Sequence, residues 1–322
     1  MLFARRESFI LCAMKNILCL GLAPAIQRTL LFPAFEKGRV NRATECHVSP
    51  AGKSVNTGIA LRRLGQSSVV AAFNGGMAGR VMSKLMKEWD TPACFTRTAG
   101  ETRTCTTLIE SDTGVETELV EEAKPASEAE VAAFVKGNLA RLRKSSMLAI
   151  SGTLAPWVSA DFYAQFAALA MELNIPWVID SHGRGLLAVL GMKPLIAKLN
   201  RDELRKTVPA GSDNLLANAR ELMRLGAQNV FVTDGPRPAA LVTPEAAWEI
   251  PAPDIDKVIN PIGSGDCVTA GTIAGLFEGM SLLEAARLGQ GCGSANAATH
   301  VPAFFDPAMA RKLAKSTTPR PL

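Results

Sequence analysis

The chain has 322 residues, of which 48% are hydrophobic and 20% are charged, and its formal net charge is +5. This length and this hydrophobic content predict one large folded domain or two smaller ones and argue against an intrinsically disordered chain. Much of the basic excess lies near the termini, no run of Lys and Arg carries interleaved aromatic residues, and there is one Tyr. We therefore expect no nucleic-acid partner, although the mild positive charge suits an anionic small molecule.

The seven cysteines show no CxxC spacing, and the three histidines share no metal-ligand spacing. This pattern predicts reduced thiols, and neither disulfides nor a zinc site. No stretch approaches the ~20 consecutive apolar residues that a membrane-spanning helix needs. We therefore expect a soluble, cytoplasmic protein that does not contact membranes.

Residues 1–13 hold a short apolar run behind two arginines, and polar residues interrupt this run too early for a signal peptide. We interpret residues 1–13 as an N-terminal extension, with Met14 as a natural start, and residues 14–322 as one domain. The apolar run over residues 17–23 predicts a buried first strand.

Strands and helices alternate along the chain that follows. Short apolar runs predict strands over residues 69–73, 147–150, 177–180 and 230–233. Helical spacing of apolar residues and Ser-x-x-Glu capping boxes predict helices over residues 55–64, 81–89, 127–143, 162–173 and 215–225, and one more that begins near Ser281. This alternation favours parallel βαβ units, so the expected fold class is α/β, a three-layer αβα sandwich with a mostly parallel central sheet.

Two regions interrupt the alternation. Residues 104–110 and 115–120 flank the turn sequence SDTG, which is a hairpin signal, and residues 30–48 fit a helix equally poorly. We interpret the regions at about 24–50 and 97–122 as a small β lid. Its exposed edge could pair with a second copy, so a homodimer through the lid is possible.

A predicted helix opens at residues 260–266, whose sequence is NPIGSGD. Glycine lets the backbone approach a ligand closely, and the amides at a helix N-terminus bind anions. A carboxylate beside a phosphate site makes chemical sense if Asp266 takes a proton from an acceptor hydroxyl while the amides hold the transferring phosphoryl group. The alternative is an ordinary Asp cap on the helix.

Other candidates lie at predicted loop-to-helix junctions. Lys53 can serve a phosphate as a point charge and Asn56 can bond a hydroxyl, unless they are a solvated Lys and a first-turn Asn. The GKS sequence at 52–54 supplies only the tail of a P-loop, so that motif is rejected. Arg103 could clamp a phosphate with two hydrogen bonds or lie exposed on an edge strand.

Residues 200–203 could supply an acidic group near a magnesium ion that keeps most of its waters, or simply start a helix. Cys267 follows the carboxylate and is either a reactive thiol at a helix start or a small buried residue. Glycines at 271, 275 and 279 line one helix face and predict close packing against the sheet or a nucleotide.

These motifs resemble the phosphofructokinase B family of ribokinase-like sugar kinases, and specifically its tagatose-6-phosphate kinase and 1-phosphofructokinase branch, over about residues 17–302. The motifs that carry the resemblance are AGKSVN at 51–56, TR at 102–103, SGTL at 151–154, KLNRDE at 198–203, NPIGSGD at 260–266 and GSAN at 293–296. Their order and spacing are far more specific than any one of them.

The resemblance implies ATP-dependent phosphorylation of a hydroxymethyl group on a ketose phosphate, such as tagatose 6-phosphate, fructose 6-phosphate or fructose 1-phosphate. Asp266 would be the general base. The amides of Gly263, Ser264 and Gly265 would form the anion hole for the γ-phosphoryl group.

The same resemblance assigns the remaining ligand contacts. The substrate side would comprise Gln27, Gly52, Lys53, Asn56 and Arg103, with Lys53 and Arg103 on the phosphate that the sugar already carries. The nucleotide side would comprise Asn200, Glu203, Thr233, Gly235 and Asn296, with Glu203 reaching Mg²⁺ through water.

The sequence departs from the family pattern at several ligand positions. The usual Asn-Pro-Ala-x-Asp is APAIQ at 23–27, and a proline-rich loop occupies 234–238. Two alternatives therefore stay open: a kinase of an unphosphorylated sugar or nucleoside, which Lys53 and Arg103 oppose, and a non-catalytic sugar or nucleotide sensor, which Asp266 opposes.

Overall fold

The computed structural model describes residues 16–209 and 211–322. The predicted extension over residues 1–13 and the start at Met14 lie outside the described residues. The strands are β1 (Asn16–Leu20), β2 (Ala25–Phe32), β3 (Glu45–Ala51), β4 (Ser67–Gly75), β5 (Ala93–Thr98), β6 (Arg103–Glu110), β7 (Glu116–Val120), β8 (Met147–Ser151), β9 (Trp177–Asp180), β10 (Ile196–Asn200), β11 (Val230–Asp234), β12 (Arg237–Val242), β13 (Ala247–Ile250) and β14 (Arg320–Pro321). The α-helices are α1 (Lys53–Arg63), α2 (Gly76–Glu88), α3 (Glu128–Leu142), α4 (Ala164–Glu172), α5 (Gly183–Leu187), α6 (Arg201–Thr207), α7 (Leu215–Arg224), α8 (Ser264–Phe277), α9 (Leu282–Ala297) and α10 (Pro307–Ser316).

A ten-stranded main sheet runs through the molecule in the order β14-β13-β12-β11-β10-β9-β8-β1-β4-β5. The seven strands from β11 to β5 pair in parallel. The last three, β12 to β14, extend the sheet in antiparallel fashion. The predicted α/β class with a mostly parallel central sheet is confirmed.

Helices cover both faces of this sheet. Because successive strand residues point to opposite faces, Ile17 and Cys19 of β1 pack with α1, α2, α8, α9 and α10. Leu18 and Leu20 pack on the other side with the cluster that holds α3, α4 and α7. The result is the predicted three-layer sandwich, with one apolar core on each side of the sheet.

The second sheet is small and has the order β3-β2-β6-β7. Its two hairpin-like pairs, β2 with β3 and β6 with β7, are antiparallel, and β2 and β6 join them in parallel. We call this four-stranded sheet the lid. Apart from Ala51, the last residue of β3, its strands lie in the two regions expected to form a lid, at about 24–50 and 97–122.

Local sequence signals set most helix boundaries. The capping boxes at Ser127 and Ser281 both form. Helix α2 begins at Gly76, five residues before the predicted start at 81. The difference arises because a distant carboxylate, Glu101, accepts the hydrogen bond of the Ala78 amide at 2.6 Å, so no local residue marks this helix start.

Two expected absences concern the described residues alone. The six cysteines of residues 16–322 are free thiols. No helix over residues 16–209 or 211–322 is long and apolar enough to cross a membrane.

Glycines of α8 allow close contact with α9. A Cβ atom on Gly271 would lie 2.7 Å from the Cys292 sulfur and 2.8 Å from the Gly289 Cα. A Cβ atom on Gly275 would lie 2.8 Å from the Ala285 Cα. The expectation that this glycine spacing faces the sheet or a nucleotide is therefore wrong, because the small residues serve helix–helix packing.

We expect Gly271→Ala to destabilise the protein by about 1–3 kcal/mol, since the added methyl group overpacks the contact between α8 and α9. The matched control is Gly137→Ala in α3, where the new Cβ would meet only the flexible end of Arg141 at 3.1 Å. That control should stabilise the helix by about 0.5–1 kcal/mol. Urea unfolding of both variants checks the opposite signs, and equal effects would contradict this account of the contact.

Candidate active site

The site lies where the parallel strands of the main sheet end. Strands β9, β10 and β11 end at Asp180, Asn200 and Asp234, and the N-termini of α1 and α8 face the same edge. In open α/β sheets this carboxyl edge is where ligands bind. The residues that the sequence singles out therefore converge here from five separate elements.

Asp266 lies in the first turn of α8, behind a glycine in the left-handed conformation. Gly263 has φ 80° and is the N-cap, so Asp266 does not cap its own helix. Its Oδ2 accepts a hydrogen bond from the Asn56 Nδ2 at 2.7 Å, and its residue surface is 6% exposed. The ordinary-cap alternative is thereby excluded, and the structure brings the two candidates Asp266 and Asn56 into direct contact.

Burial and, after it, the charge of Asp180 raise the pKa of Asp266 to about 6, against the opposing effects of Lys53, Asn56 and Lys198. A carboxylate whose pKa is close to neutrality suits proton transfer at physiological pH, because it is mostly ionised yet strongly basic. The shift thus has two causes that the fold itself supplies, which are desolvation and a neighbouring carboxylate.

The loop before α8 is held from behind by two asparagines. Asn260 Oδ1 accepts from the Ile262 amide at 3.0 Å, and Asn296 Nδ2 donates to the Ile262 carbonyl and the Ser264 hydroxyl at 2.9 and 3.0 Å. Asn296 Oδ1 accepts from the Ala303 amide at 2.6 Å. The side chain of Asn296, expected on the nucleotide side, is therefore fully engaged in supporting this loop.

The three amides expected to form the anion hole are not equivalent. The Ser264 amide donates to the Pro261 carbonyl at 3.0 Å. Within the described part of the chain, the amides of Gly263 and Gly265 donate to no backbone carbonyl, so they remain available to a ligand.

Lys53 lies at the centre of the charged cluster. Its Nζ donates to Asp180 Oδ1 at 3.1 Å and lies 3.5 Å from Glu203 Oε1. Burial alone would lower the pKa of Lys53, but the carboxylates of Asp180, Glu203 and Asp266 outweigh it and raise this pKa. The ammonium group is therefore charged at every physiological pH.

The main functional candidates that sequence reasoning missed are Asp180 and Lys198. Asp180 is fully buried, and its Oδ2 accepts from Lys198 Nζ and from the Thr269 hydroxyl, both at 2.9 Å. Burial alone would raise the pKa of Asp180, but Lys198 and Lys53 hold it well below its ordinary value. The signal that could have found Asp180 was its position at the end of the predicted strand over residues 177–180.

A cavity of about 400 Å³ opens beside Lys53 on the side of the lid. Arg103 lines it too, with its terminal nitrogens donating to the carbonyls of Glu121 and Ala23 at 3.2 Å. The Nε atom of Arg103 is buried and has no hydrogen-bond partner. The same is true of Asn56 Oδ1. An unpartnered polar atom of a residue that lines this cavity, and a second one near the start of the helix that carries Lys53, favour a polar ligand.

Gln27 does not join this group. It is 3% exposed, and its Nε2 donates to the Thr107 hydroxyl at 2.7 Å within the lid. Gly52, by contrast, lies at the junction, with φ 111° at the N-cap of α1. A Cβ atom there would lie 2.9 Å from the Pro24 Cα, so glycine is needed for both conformation and space.

A second cavity, of about 470 Å³, lies at the N-terminus of α8. Thr233 and Gly235 line it, together with Ser264 and Gly265. Its openings and apolar walls suit a nucleotide base and ribose. The first turn of α8 therefore borders this cavity, while Lys53 and Arg103 line the other one.

Asn200 and Glu203 form a capping box at the start of α6. Asn200 Oδ1 accepts from the Glu203 amide, and Glu203 Oε2 accepts from the Asn200 amide, both at 2.8 Å. The other oxygen of Glu203 faces Lys53. No group of three metal-ligating side chains occurs in residues 16–209 and 211–322. This donor set suits a magnesium ion bound through water and nucleotide phosphates.

Cys267 is fully buried beside Asp266. Burial and the neighbouring carboxylate raise the pKa of this thiol well above its ordinary value. The reactive-thiol alternative is therefore excluded, since the thiolate is the nucleophilic form.

Known proteins share this architecture. The sequence model of the pfkB family carbohydrate kinases matches residues 14–308. A 1-phosphofructokinase of Bacillus subtilis (strain 168) is 29% identical over 279 residues, which cover 86% of this chain and 90% of that protein. A tagatose-6-phosphate kinase of Staphylococcus epidermidis is 29% identical over 291 residues, covering 87% and 92%. The crystal structure of a possible 1-phosphofructokinase from Thermotoga maritima superposes with a TM-score of 0.86 at 23% identity, covering 95% and 99%, and supports the fold alone.

The raised pKa of Asp266 has a consequence for stability. The folded state favours the protonated form, so this group contributes stability below about pH 4 that is lost as the pH rises through about 6. We therefore expect Asp266→Asn to raise the melting temperature, and the gain over wild type to widen between about pH 4 and pH 8. Calorimetry across this range measures it. A variant less stable than wild type at about pH 8 would show that Asp266 is not a strained, buried carboxylate.

Proposed function

The chain belongs to the pfkB family of carbohydrate kinases, and from this premise we propose that it transfers the γ-phosphoryl group of ATP to a hydroxymethyl group of a ketose phosphate. The observation that carries the proposal is the buried Asp266, bonded to Asn56 at the glycine-led start of α8. This start borders the 470 Å³ cavity, and Lys53, on the same helix as Asn56, lines the 400 Å³ cavity. A base and an anion site in one helical turn suit a hydroxyl acceptor and a phosphoryl donor.

A substrate that already carries a phosphate is favoured by charge. Lys53 and Arg103 both line the 400 Å³ cavity, and an uncharged sugar or nucleoside needs no such pair of cations. The relatives named 1-phosphofructokinase and tagatose-6-phosphate kinase point in the same direction. The candidate substrates are fructose 1-phosphate, tagatose 6-phosphate and fructose 6-phosphate.

The mechanism follows from the position of Asp266. Its carboxylate takes the proton of the acceptor hydroxyl, whose oxygen forms a bond to the γ-phosphorus while the bond from phosphorus to the ADP oxygen breaks. Asn56 holds the carboxylate in place, and its unpartnered Oδ1 can accept from a second sugar hydroxyl. The free amides of Gly263 and Gly265 stabilise the charge on the transferring group.

The nucleotide occupies the 470 Å³ cavity, with Thr233 and Gly235 on its wall. A magnesium ion bound with ATP would neutralise charge on the phosphates. Glu203 would reach that ion through water, since one of its oxygens already caps α6. The lid closes over the sugar and excludes water, which otherwise competes as the acceptor.

We extend the proposal to a cytoplasmic homodimer that pairs through the lids. Val48, Arg28, Thr106 and Leu119 lie side by side across all four lid strands, so they share one face of the sheet. Val48 and Leu119 are 46% and 54% exposed, which is unusual for apolar residues on a sheet face. A second lid would cover this row.

The function is tested by ADP release from Mg·ATP with tagatose 6-phosphate, fructose 6-phosphate, fructose 1-phosphate, fructose and ribose. We expect turnover with phosphorylated ketoses only. Asp266→Asn should lower kcat by about 10²–10⁴-fold without loss of fold, because a neutral amide cannot accept the proton.

The other outcomes are equally informative. Turnover with fructose or ribose alone would keep phosphoryl transfer and reject the role of Lys53 and Arg103. Full activity of Asp266→Asn would reject the base. Binding of nucleotide without turnover on any sugar would favour the sensor, for which the replacement at Gln27 is the supporting observation.

The dimer is tested by light scattering of the Val48→Asp variant, which should shift the protein towards monomer because it buries a charge in the paired lids. Val81→Asp, at a residue 41% exposed on α2, is the control and should leave the mass unchanged. A monomeric wild-type protein would contradict this part of the proposal.

A further inference from the structure

One buried charge remains without a task in the proposed reaction. Asp180 at the end of β9 is fully buried, and three groups from three other elements contact its carboxylate. Lys53 of α1 binds Oδ1 at 3.1 Å, while Lys198 of β10 and Thr269 of α8 bind Oδ2 at 2.9 Å. Buried ion pairs are often no more stabilising than apolar packing. Stability alone therefore does not explain why Asp180 and its two lysines lie at the candidate active site.

The second lysine of the cluster lies against the anion-binding turn. The Lys198 Nζ would lie 2.8 Å from a Cβ atom on Gly265, so the ammonium group occupies the space that a side chain would fill there. Lys198 is 4% exposed, and its one charged partner is Asp180 within the described residues. Asp180 is therefore what keeps this ammonium group at the first turn of α8.

We propose that Asp180 is a positioning residue for phosphoryl transfer, whose two carboxylate oxygens fix the ammonium groups of Lys53 and Lys198 beside the first turn of α8. The inference rests on the proposed function, because its purpose is to keep two positive charges where the phosphoryl group passes. Asp180 touches neither substrate, and it acts through the two lysines and through its charge.

The charge of Asp180 also acts on the base. The charged groups that face Asp266 are Lys53 from α1, Asp180 from β9 and Lys198 from β10, and the adjacent thiol of Cys267 is neutral. After burial, Asp180 is the strongest influence that raises the pKa of Asp266, and both lysines lower it. Removing Asp180 and removing Lys198 should therefore move the pKa of Asp266 in opposite directions.

The test is a titration of the Asp266 carboxyl carbon by NMR in the ligand-free protein, which needs no substrate. Asp180→Asn should lower the pKa of Asp266 by roughly 1 unit or more, because a like charge disappears. Lys198→Met should raise it, because an opposite charge disappears. Thr269→Val is the matched control: it removes one neutral hydrogen bond to the same carboxylate and should leave the titration close to that of wild type.

Kinetics supply the second readout. With a turned-over sugar, Asp180→Asn should lower kcat by about 10-fold or more, with a smaller change in KM, because the lysines lose the fixed placement that the transition state uses. The acid limb of its pH profile should move down together with the Asp266 titration. A merely structural role would lower both stability and activity and leave the acid limb in place.

The outcomes separate the two proposals. A shifted Asp266 titration without turnover on any sugar would overturn the proposed function and leave the charge coupling intact. Turnover with an unshifted titration in Asp180→Asn would overturn the inference alone. If Asp180→Asn does not fold, the Lys198→Met variant decides the question. An unchanged or lowered pKa of Asp266 in that variant would overturn the inference.

Discussion

Attraction between buried charges of opposite sign is the interaction on which the site depends. Asp180 is paired with two lysines, whereas Asp266 lies as deeply in the molecule with only an asparagine as its direct partner. The same space therefore holds one carboxylate with a lowered pKa and one with a raised pKa. Environments that drive two neighbouring carboxylates apart in this way assign them different tasks.

Sequence reasoning found what is encoded locally. The alternation of strands and helices, the capping boxes and the glycine-led turn at 260–266 all depend on residues within a few positions of one another. Asp180 escaped it, as did the partners of Lys53 and Gln27, because these contacts span 127 or 80 positions and no periodicity reports them. Asn296 was correctly placed beside the site, yet its partners show a structural task that the motif alone could not reveal.

Asp266, the proposed base, lies on a helix that is closely packed against its neighbour. Helix α8 packs against α9 through glycines that leave no room for a methyl group, and the loop before it is tied to the end of α9 through Asn296. Such close packing transmits strain instead of absorbing it. Helix α8 and its Asp266 are therefore held closely in place against α9.

The junction at Gly52 gives the lid a mechanical role. Strand β3 ends at Ala51 and α1 begins at Lys53, so a single glycine joins the lid to the helix that carries Lys53 and Asn56. The lid is thus joined through Gly52 to the helix whose Asn56 is hydrogen-bonded to Asp266. A displacement of β3 would therefore alter the position of Asn56, which is the direct partner of the buried Asp266 carboxylate.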